Sequence, residues 1–313
     1  MIETSSLTKR YGSKVAVDQL SIRVFPGQVT GFLGPNGAGK STTMRLIMGL
    51  DHPTSGSVTV NGKPYAKHKR PMNEVGALLD ARALNPARTA RSHLRALAAT
   101  CGVTDKRVGE VIELTGLQSV ANKKAGSFSL GMGQRLGIAV ALLADPKTLI
   151  LDEPVNGLDP EGVRWVRDLV RHLAELGKTI FLSSHLMSEM EQTADQLIIL
   201  GKGRLLANAS MSDFIESYSE VGARVRTPHA SDMATWFAQP GVRIEQKEAD
   251  LLEIYGLDST QIGDSAAAKG WALHELTPLQ TSLEQAYLDL TQSAVEFRSE
   301  EFAHLTGDGD SSK

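Results

Sequence analysis

Residues 34–42 read Gly-Pro-Asn-Gly-Ala-Gly-Lys-Ser-Thr, a complete G-x-x-x-x-G-K-[ST] loop. No other stretch narrows the possible folds as much. The run Val29-Thr30-Gly31-Phe32-Leu33 before it is a short apolar strand, and Thr42-Thr43-Met44-Arg45-Leu46-Ile47-Met48 after it begins a helix. Strand, loop and helix together are the opening of a parallel α/β core. The glycines let the backbone curl so that its N–H groups point inward. The helix start adds partial positive charge at the same place. The ligand class this implies is a nucleoside triphosphate with Mg²⁺. Gly34, Asn36, Gly37, Ala38, Gly39, Lys40, Ser41 and Thr42 are its expected contacts. Lys40 reaches the β- and γ-phosphates, and Ser41 ligates Mg²⁺.

The chain has 313 residues, enough for two domains, and 41% of them are apolar. Acidic residues outnumber basic ones by 36 to 33, which argues against nucleic acid as a partner. The single cysteine, Cys101, excludes an intrachain disulfide and reads as a small buried apolar residue in a reducing compartment. The first residues, Met1 to Ser6, lack the basic and apolar regions of a signal peptide. The longest apolar run, Ile138 to Ala144, is far shorter than the roughly 18 residues of a spanning helix. Membrane contact is therefore expected through a partner.

Leu20, Ile22 and Val24 fall on one strand face, and Pro26-Gly27 breaks that strand. Ser57 to Val60 is a strand closing in an Asn61-Gly62 turn. Residues 86–145 are mostly helical. Leu149-Ile150-Leu151 is a buried strand, and the next helix carries Val163, Val166, Leu169, Val170, Leu173 and Leu176 on one stripe. Strands at 180–182 and 197–200 follow. Near residue 218 the texture changes. Segments 223–227, 231–239, 242–248, 251–256, 259–269 and 271–276 alternate as strand, helix, strand, strand, helix, strand. That order suits a small α+β domain of ferredoxin-like, split-βαβ type spanning 218–292, closed by a helix from Ser282 to Gln292. Residues 293–313 form an acidic tail, with Glu296, Glu300, Glu301, Asp308 and Asp310, expected to be partly disordered.

Further chemistry follows the loop. Leu149 to Leu151 ends in Asp152-Glu153-Pro154. Asp152 suits a Mg²⁺ ligand, and Glu153 can face the γ-phosphate and polarise the attacking water. Ser127-Phe128-Ser129-Leu130-Gly131-Met132-Gly133-Gln134-Arg135 precedes a helix expected over Leu136 to Leu143; a serine, small glycines and a helix start are the makings of an anion site. Here the sequence resembles the ATP-binding-cassette (ABC) ATPases, whose signature loop carries Ser-Gly-Gly at this place. Ser129 and Gly131 match, and Leu130 stands where the family has its first glycine. Asn156-Gly157-Leu158-Asp159 is similar to that family's D-loop, Leu182-Ser183-Ser184-His185-Leu186 to its switch histidine segment, and Tyr11 to its adenine-stacking aromatic. The resemblance covers residues 2 to about 217.

It implies an ABC cassette over residues 1–217, a mixed-sheet core with a helical subdomain at about 86–145, followed by the small α+β domain. It implies ATP and Mg²⁺ as ligands and ATP hydrolysis as the activity. Two cassettes pair head to tail, so Ser129 and Gly131 serve the partner's nucleotide, Asp159 is among the nucleotide-binding residues, and His185 holds the γ-phosphate and orients Glu153. The family has a glutamine after the strand at 75–79, where this chain has Asp80. An aspartate keeps a ligand oxygen for Mg²⁺ but adds charge and is shorter. The additional domain after residue 218, ending in Ser282 to Leu288, resembles the C-terminal extension of ABC-2 exporters, including drug-resistance ATPases. Export of a drug-like or amphiphilic substrate through a separate membrane-spanning permease is thereby implied, with this subunit on the cytoplasmic face of the membrane. The alternative is a non-transport ABC ATPase regulating a membrane complex. Its chromosome-structure kind is set aside because only roughly ninety residues, without sustained heptads, separate the phosphate and signature loops. The basic run Lys67 to Arg70 reads as a solvated loop or a contact for anionic lipid.

Overall fold

The structure is a computed structural model and describes residues 1–80, 83–218, 221–279 and 283–291. Two compact units divide the described residues, one of residues 1–208 with 290–291 and the other of residues 209–289.

The first unit opens with β1 (Ile2–Tyr11), β2 (Lys14–Leu20) and β3 (Arg23–Val24). Next come β4 (Val29–Leu33), α1 (Lys40–Ile47) and β5 (Ser55–Val60). Strands β2, β1 and β3 form an antiparallel sheet, with β5 also paired to β1. The chain leaves strand geometry after Leu20 and regains it at Arg23, so Ile22 lies between strands, not within one. Its N–H turns to the Thr4 hydroxyl at 3.0 Å, and Leu20, Ile22 and Val24 are all buried. Beyond β5, Asn61 and Gly62 both take positive φ, 49° and 80°, the two-residue turn their sequence called for.

The chain continues through α2 (Pro71–Glu74), β6 (Val75–Leu78), α3 (Ala90–Cys101), α4 (Asp105–Leu114) and α5 (Leu130–Leu142). Threonines 89 and 104 and Ser129 cap α3, α4 and α5, each accepting a backbone N–H inside its helix. Then follow β7 (Thr148–Leu151), α6 (Pro160–Glu175), β8 (Thr179–Ser183), α7 (Met187–Thr193), β9 (Gln196–Gly201) and β10 (Arg204–Ser210). The central six-stranded sheet runs β10-β9-β4-β8-β7-β6. The β6–β7, β7–β8, β8–β4 and β4–β9 pairs are parallel. Strands β4, β7 and β8 are buried at every residue, which is why they read as unbroken apolar runs. Phe32 and Phe181 stack from neighbouring strands with ring centroids 4.7 Å apart. On α6, Val166, Leu169, Val170 and Leu173 are buried as the stripe requires. Leu176 departs from it: it caps the helix end and is 63% exposed.

The second unit holds α8 (Met211–Tyr218), β11 (Gly222–Arg226), α9 (Ala230–Trp236), β12 (Arg243–Glu248), β13 (Leu251–Tyr255), α10 (Ser259–Lys269), β14 (Glu275–Pro278) and all but the last two residues of α11 (Leu283–Thr291). It begins before α8, ahead of the expected boundary at 218. Its sheet runs β12-β13-β11-β14 with every neighbouring pair antiparallel. Met233 and Phe237, in and just beyond α9, and Ile262 and Ala266 of α10 pack with Val225, Leu252 and Ile254. The strand expected at 271–276 starts only at Glu275. Gly270 closes α10 in the left-handed conformation, and the Trp271 N–H turns back to the Ala266 carbonyl at 2.9 Å, so the chain needs several residues to leave the helix. Ser282, Gln292 and the acidic tail 293–313 lie outside the described residues.

Candidate functional site

The phosphate loop joins the C-terminal end of β4 to α1, at an edge where parallel α/β sheets place their ligands. Gly39 shows why the loop needs glycine. Its φ is +103°, and a Cβ there would collide with the Ala16 carbonyl. Ala38 is buried, its N–H held by the Pro35 carbonyl at 3.0 Å and its carbonyl by Gly203 N–H at 3.0 Å. The Lys40 ammonium folds back to donate to the Gly34 carbonyl at 2.5 Å and to Pro35 at 3.4 Å. Burial holds its pKa below the ordinary lysine value, against the opposing pull of Glu153 and Asp152. Asn36, Gly37 and Thr42 stand in the same loop and first turn.

Strand β7 delivers the carboxylates beside this loop. Ser41 Oγ donates to Asp152 Oδ2 at 2.8 Å, and Ser183 Oγ, at the end of β8, donates to Asp152 Oδ1 at 2.5 Å. Glu153 is the first residue to turn away. Its φ of +51° is left-handed, unusual for a side chain of this size. Both ends of its backbone are tied. The Glu153 N–H donates to Ser183 Oγ at 2.9 Å, and the Glu153 carbonyl accepts from Gln134 Nε2 at 2.8 Å. Its Oε2 lies 2.7 Å from His185 Nδ1 and also accepts the His185 N–H at 3.2 Å. Lys40, Ser41, Asp152, Glu153 and His185 are therefore one continuous constellation at the ends of β4, β7 and β8.

Ser183 and Gln134 were not singled out from the sequence for any role. Ser183 stands in the switch histidine segment as a polar residue ending an apolar strand, with no role of its own. Gln134 stands in the signature segment with no role of its own, ahead of the helix expected from Leu136; α5 in fact starts six residues earlier, at Leu130.

The remaining expected contacts lie around this centre. Ser129 caps α5, accepting the Met132 N–H at 3.2 Å. It lines a hollow with Pro86, Gly126, Phe128 and Leu130 that none of residues 34–42 borders. Gly131 packs on the Gly157 carbonyl, where a Cβ would stand 2.9 Å away, and Leu130 lies across Gly157 itself. Asp159 caps α6 by accepting the Gly162 N–H at 2.9 Å, so in this chain alone its carboxylate serves its own helix. Tyr11 is half exposed, donates to Asp51 Oδ2 at 2.9 Å, and has Thr42 within hydrogen-bonding reach. Asp80 follows β6 and lines a cleft of about 790 Å³ with Ser41 and Asp152. Lys67, Lys69 and Arg70 are exposed, while the His68 ring is tied to the Val60 carbonyl at 2.8 Å.

Among the described residues no cluster of three or more His, Cys, Asp or Glu could hold a metal by itself. Ser41 Oγ and Asp152 Oδ2 are hard oxygen donors already within 2.8 Å of each other. That set fits Mg²⁺, which takes one or two protein oxygens and fills its shell with phosphate and water. Among the described residues no helix is long and apolar enough to cross a membrane.

The family model for ABC transporters matches residues 17–156, and one for a domain of unknown function matches residues 221–284. The bacitracin transport ATP-binding protein BcrA of Bacillus licheniformis is 47% identical over 209 residues, 66% of this chain and 68% of that protein. Nod factor export ATP-binding protein I of Burkholderia pseudomallei (strain K96243) is 36% identical over 273 residues, 85% of this chain and 80% of that protein. Among solved structures, the dimeric cassette MJ0796, a bacterial ABC transporter cassette, aligns with a TM-score of 0.63 at 25% identity, over 67% of this chain and 99% of that one.

Proposed function

The chain belongs to the ABC transporter family as an ATP-binding, ATP-hydrolysing subunit, and from that premise we propose that it powers a separate membrane-spanning permease exporting a drug-like or amphiphilic compound. Support for export comes from the relatives named for bacitracin transport and Nod factor export. The permease would hold the subunit at the cytoplasmic face of the membrane and carry the substrate path.

The nucleotide is sandwiched in a head-to-tail pair of these chains. One observation carries this reading: the helix start capped by Ser129 is an anion-binding design, and Ser129 lines a hollow that the phosphate loop does not border. A half-site without a local phosphate loop is accounted for if a second chain supplies the nucleotide. The dimeric form of the MJ0796 cassette is consistent with that pairing.

Within each sandwich the loop N–H groups and Lys40 bind the β- and γ-phosphates, and Tyr11 stacks on the adenine. Ser41 and Asp152 hold Mg²⁺, and Asp80, which lines the same cleft, is the further oxygen donor for it. Bound there, the ion supplies charge neutralisation at the phosphates. His185 occupies Oε2 of Glu153, leaving Oε1 for the attacking water. Water oxygen then bonds to the γ-phosphorus, the bond to the β-phosphate oxygen breaks, and ADP leaves. Glu153 orients the water and accepts its proton.

The size of purified Glu153→Gln protein in solution tests this. Monomer without nucleotide and dimer with ATP-Mg²⁺ is the expected result. A monomer throughout, with ATP bound and permease present, removes the sandwich. Co-purification of the wild-type protein with an integral membrane protein tests the transport role, and a purely soluble assembly would refute it.

A further inference from the structure

We propose that Gln134 is a positioning residue for hydrolysis, holding the Glu153 backbone in the left-handed turn that aims its carboxylate. The proposal rests on the assignment of Glu153 as the group that orients water.

The φ of +51° at Glu153 is not a conformation that a glutamate keeps unaided. Something must hold the peptide planes on both sides of it. On one side the N–H is fixed by Ser183. On the other the carbonyl is fixed by Gln134 Nε2 at 2.8 Å. A carbonyl only accepts, so the amide orientation of Gln134 is determined by its partner. Gln134 is 3% exposed and comes from α5, a helix otherwise filled with Leu136, Ile138 and Ala139. A long polar side chain in that setting is disfavoured unless its amide is satisfied. Ser183 belongs to the same sheet as the strand it braces, and would hold Glu153 whatever α5 does. Gln134 differs, because α5 begins at Ser129 and Gly131.

A second contact ties the same two segments. Leu130, the first residue of α5, lies on Gly157, where a Cβ would collide with the Leu130 Cδ2. The helix start and the segment 153–157 are therefore joined twice, once through a polar contact and once through an apolar one. A displacement of α5 when its start engages an anion is passed to the carbonyl of Glu153. Gln134 thus links occupancy at the helix start to alignment of the carboxylate.

Steady-state ATP hydrolysis by Gln134→Met tests this. Methionine keeps the length and fills the space but cannot donate. The expected result is a fall in kcat of about ten-fold or more, as loss of one buried hydrogen bond allows. KM for ATP should stay within about two-fold, since no nucleotide contact is removed. In a Glu153→Gln background, Gln134→Met should add nothing, because both changes act through one group. Wild-type kcat in Gln134→Met overturns the proposal, and so does a further loss that multiplies with Glu153→Gln. Should Gln134→Met fail to fold, Gln134→Glu keeps the shape and replaces the donor with an acceptor. Its kcat must fall in the same way, and normal turnover refutes the role. Rapid hydrolysis by Glu153→Gln alone removes the Glu153 assignment and this inference with it. A slow Glu153→Gln beside normal Gln134 variants removes this inference only.

Discussion

Lys40 carries a consequence that solution chemistry can read. Its ammonium is buried and sits below the ordinary lysine pKa even with Glu153 and Asp152 nearby. Phosphates raise it again, so ATP binding takes up protons between the lowered free value and the raised bound one. Affinity therefore weakens as pH climbs through that window. Calorimetric titration in two buffers of different ionisation heat should give different apparent enthalpies at alkaline pH, and equal values would count against a shifted Lys40. For the free fold the sign is the same as for any lysine with a depressed pKa. The buried charge penalises folding at neutral pH, and the penalty fades as pH rises from the folded value to the unfolded one. Gly39→Ala should lose nucleotide binding outright, because its φ of +103° and the Ala16 carbonyl leave a side chain nowhere to go at a cost of about 1–3 kcal/mol or more. At this scale the readable residues were those in short contiguous motifs: the loop, Asp152-Glu153, and His185 at a strand end. Gln134 and Ser183 were not readable, since their bonds to Glu153 span 19 and 30 positions of chain. Leu130 could be seen as a departure, but only the fold puts it against Gly157.

Among the elements, α5 is the most informative. Its cap is Ser129, so Ser129→Ala should lower stability by about 1 kcal/mol in denaturant titration. Ser129→Arg should act differently, cutting hydrolysis while the isolated chain still binds ATP near normally. Equal loss of binding by the monomer would remove the shared-site reading. The α6 cap makes a parallel case. Asp159 already bonds the Gly162 N–H, so any service to a second chain competes with helix capping. The buried strands were legible because a parallel sheet covered on both faces demands continuous apolar runs. The failures have local causes. Leu176 fits the stripe by period but falls past the end of α6, and the tight exit from α10 delays β14 beyond Trp271.

Across the whole molecule the site belongs to one unit. Every expected nucleotide contact, from Tyr11 to His185, lies within residues 1–208. A chain truncated after 208 should therefore bind ATP with close to full-length affinity, and loss of binding in a folded truncation would show that residues 209–289 contribute to the site. On the second unit's sheet, Arg224 pairs with Glu253 at 2.7 Å and Lys247 with Glu245 at 2.6 Å, so charges within that sheet are matched internally. The central sheet has a further consequence, in time and not in chemistry. Strand β4 ends at Leu33, yet its two neighbours are β8 and β9, which begin at Thr179 and Gln196. During synthesis the strand that bears the phosphate loop has no partner until about 150 later residues have emerged, roughly 8–30 s at ordinary elongation rates. An apolar segment waits unpaired through that interval while β1, β2 and β5 can already pair locally. Ribosome-bound chains stalled before Thr179 should consequently recruit holding chaperones, and those released beyond β9 should not.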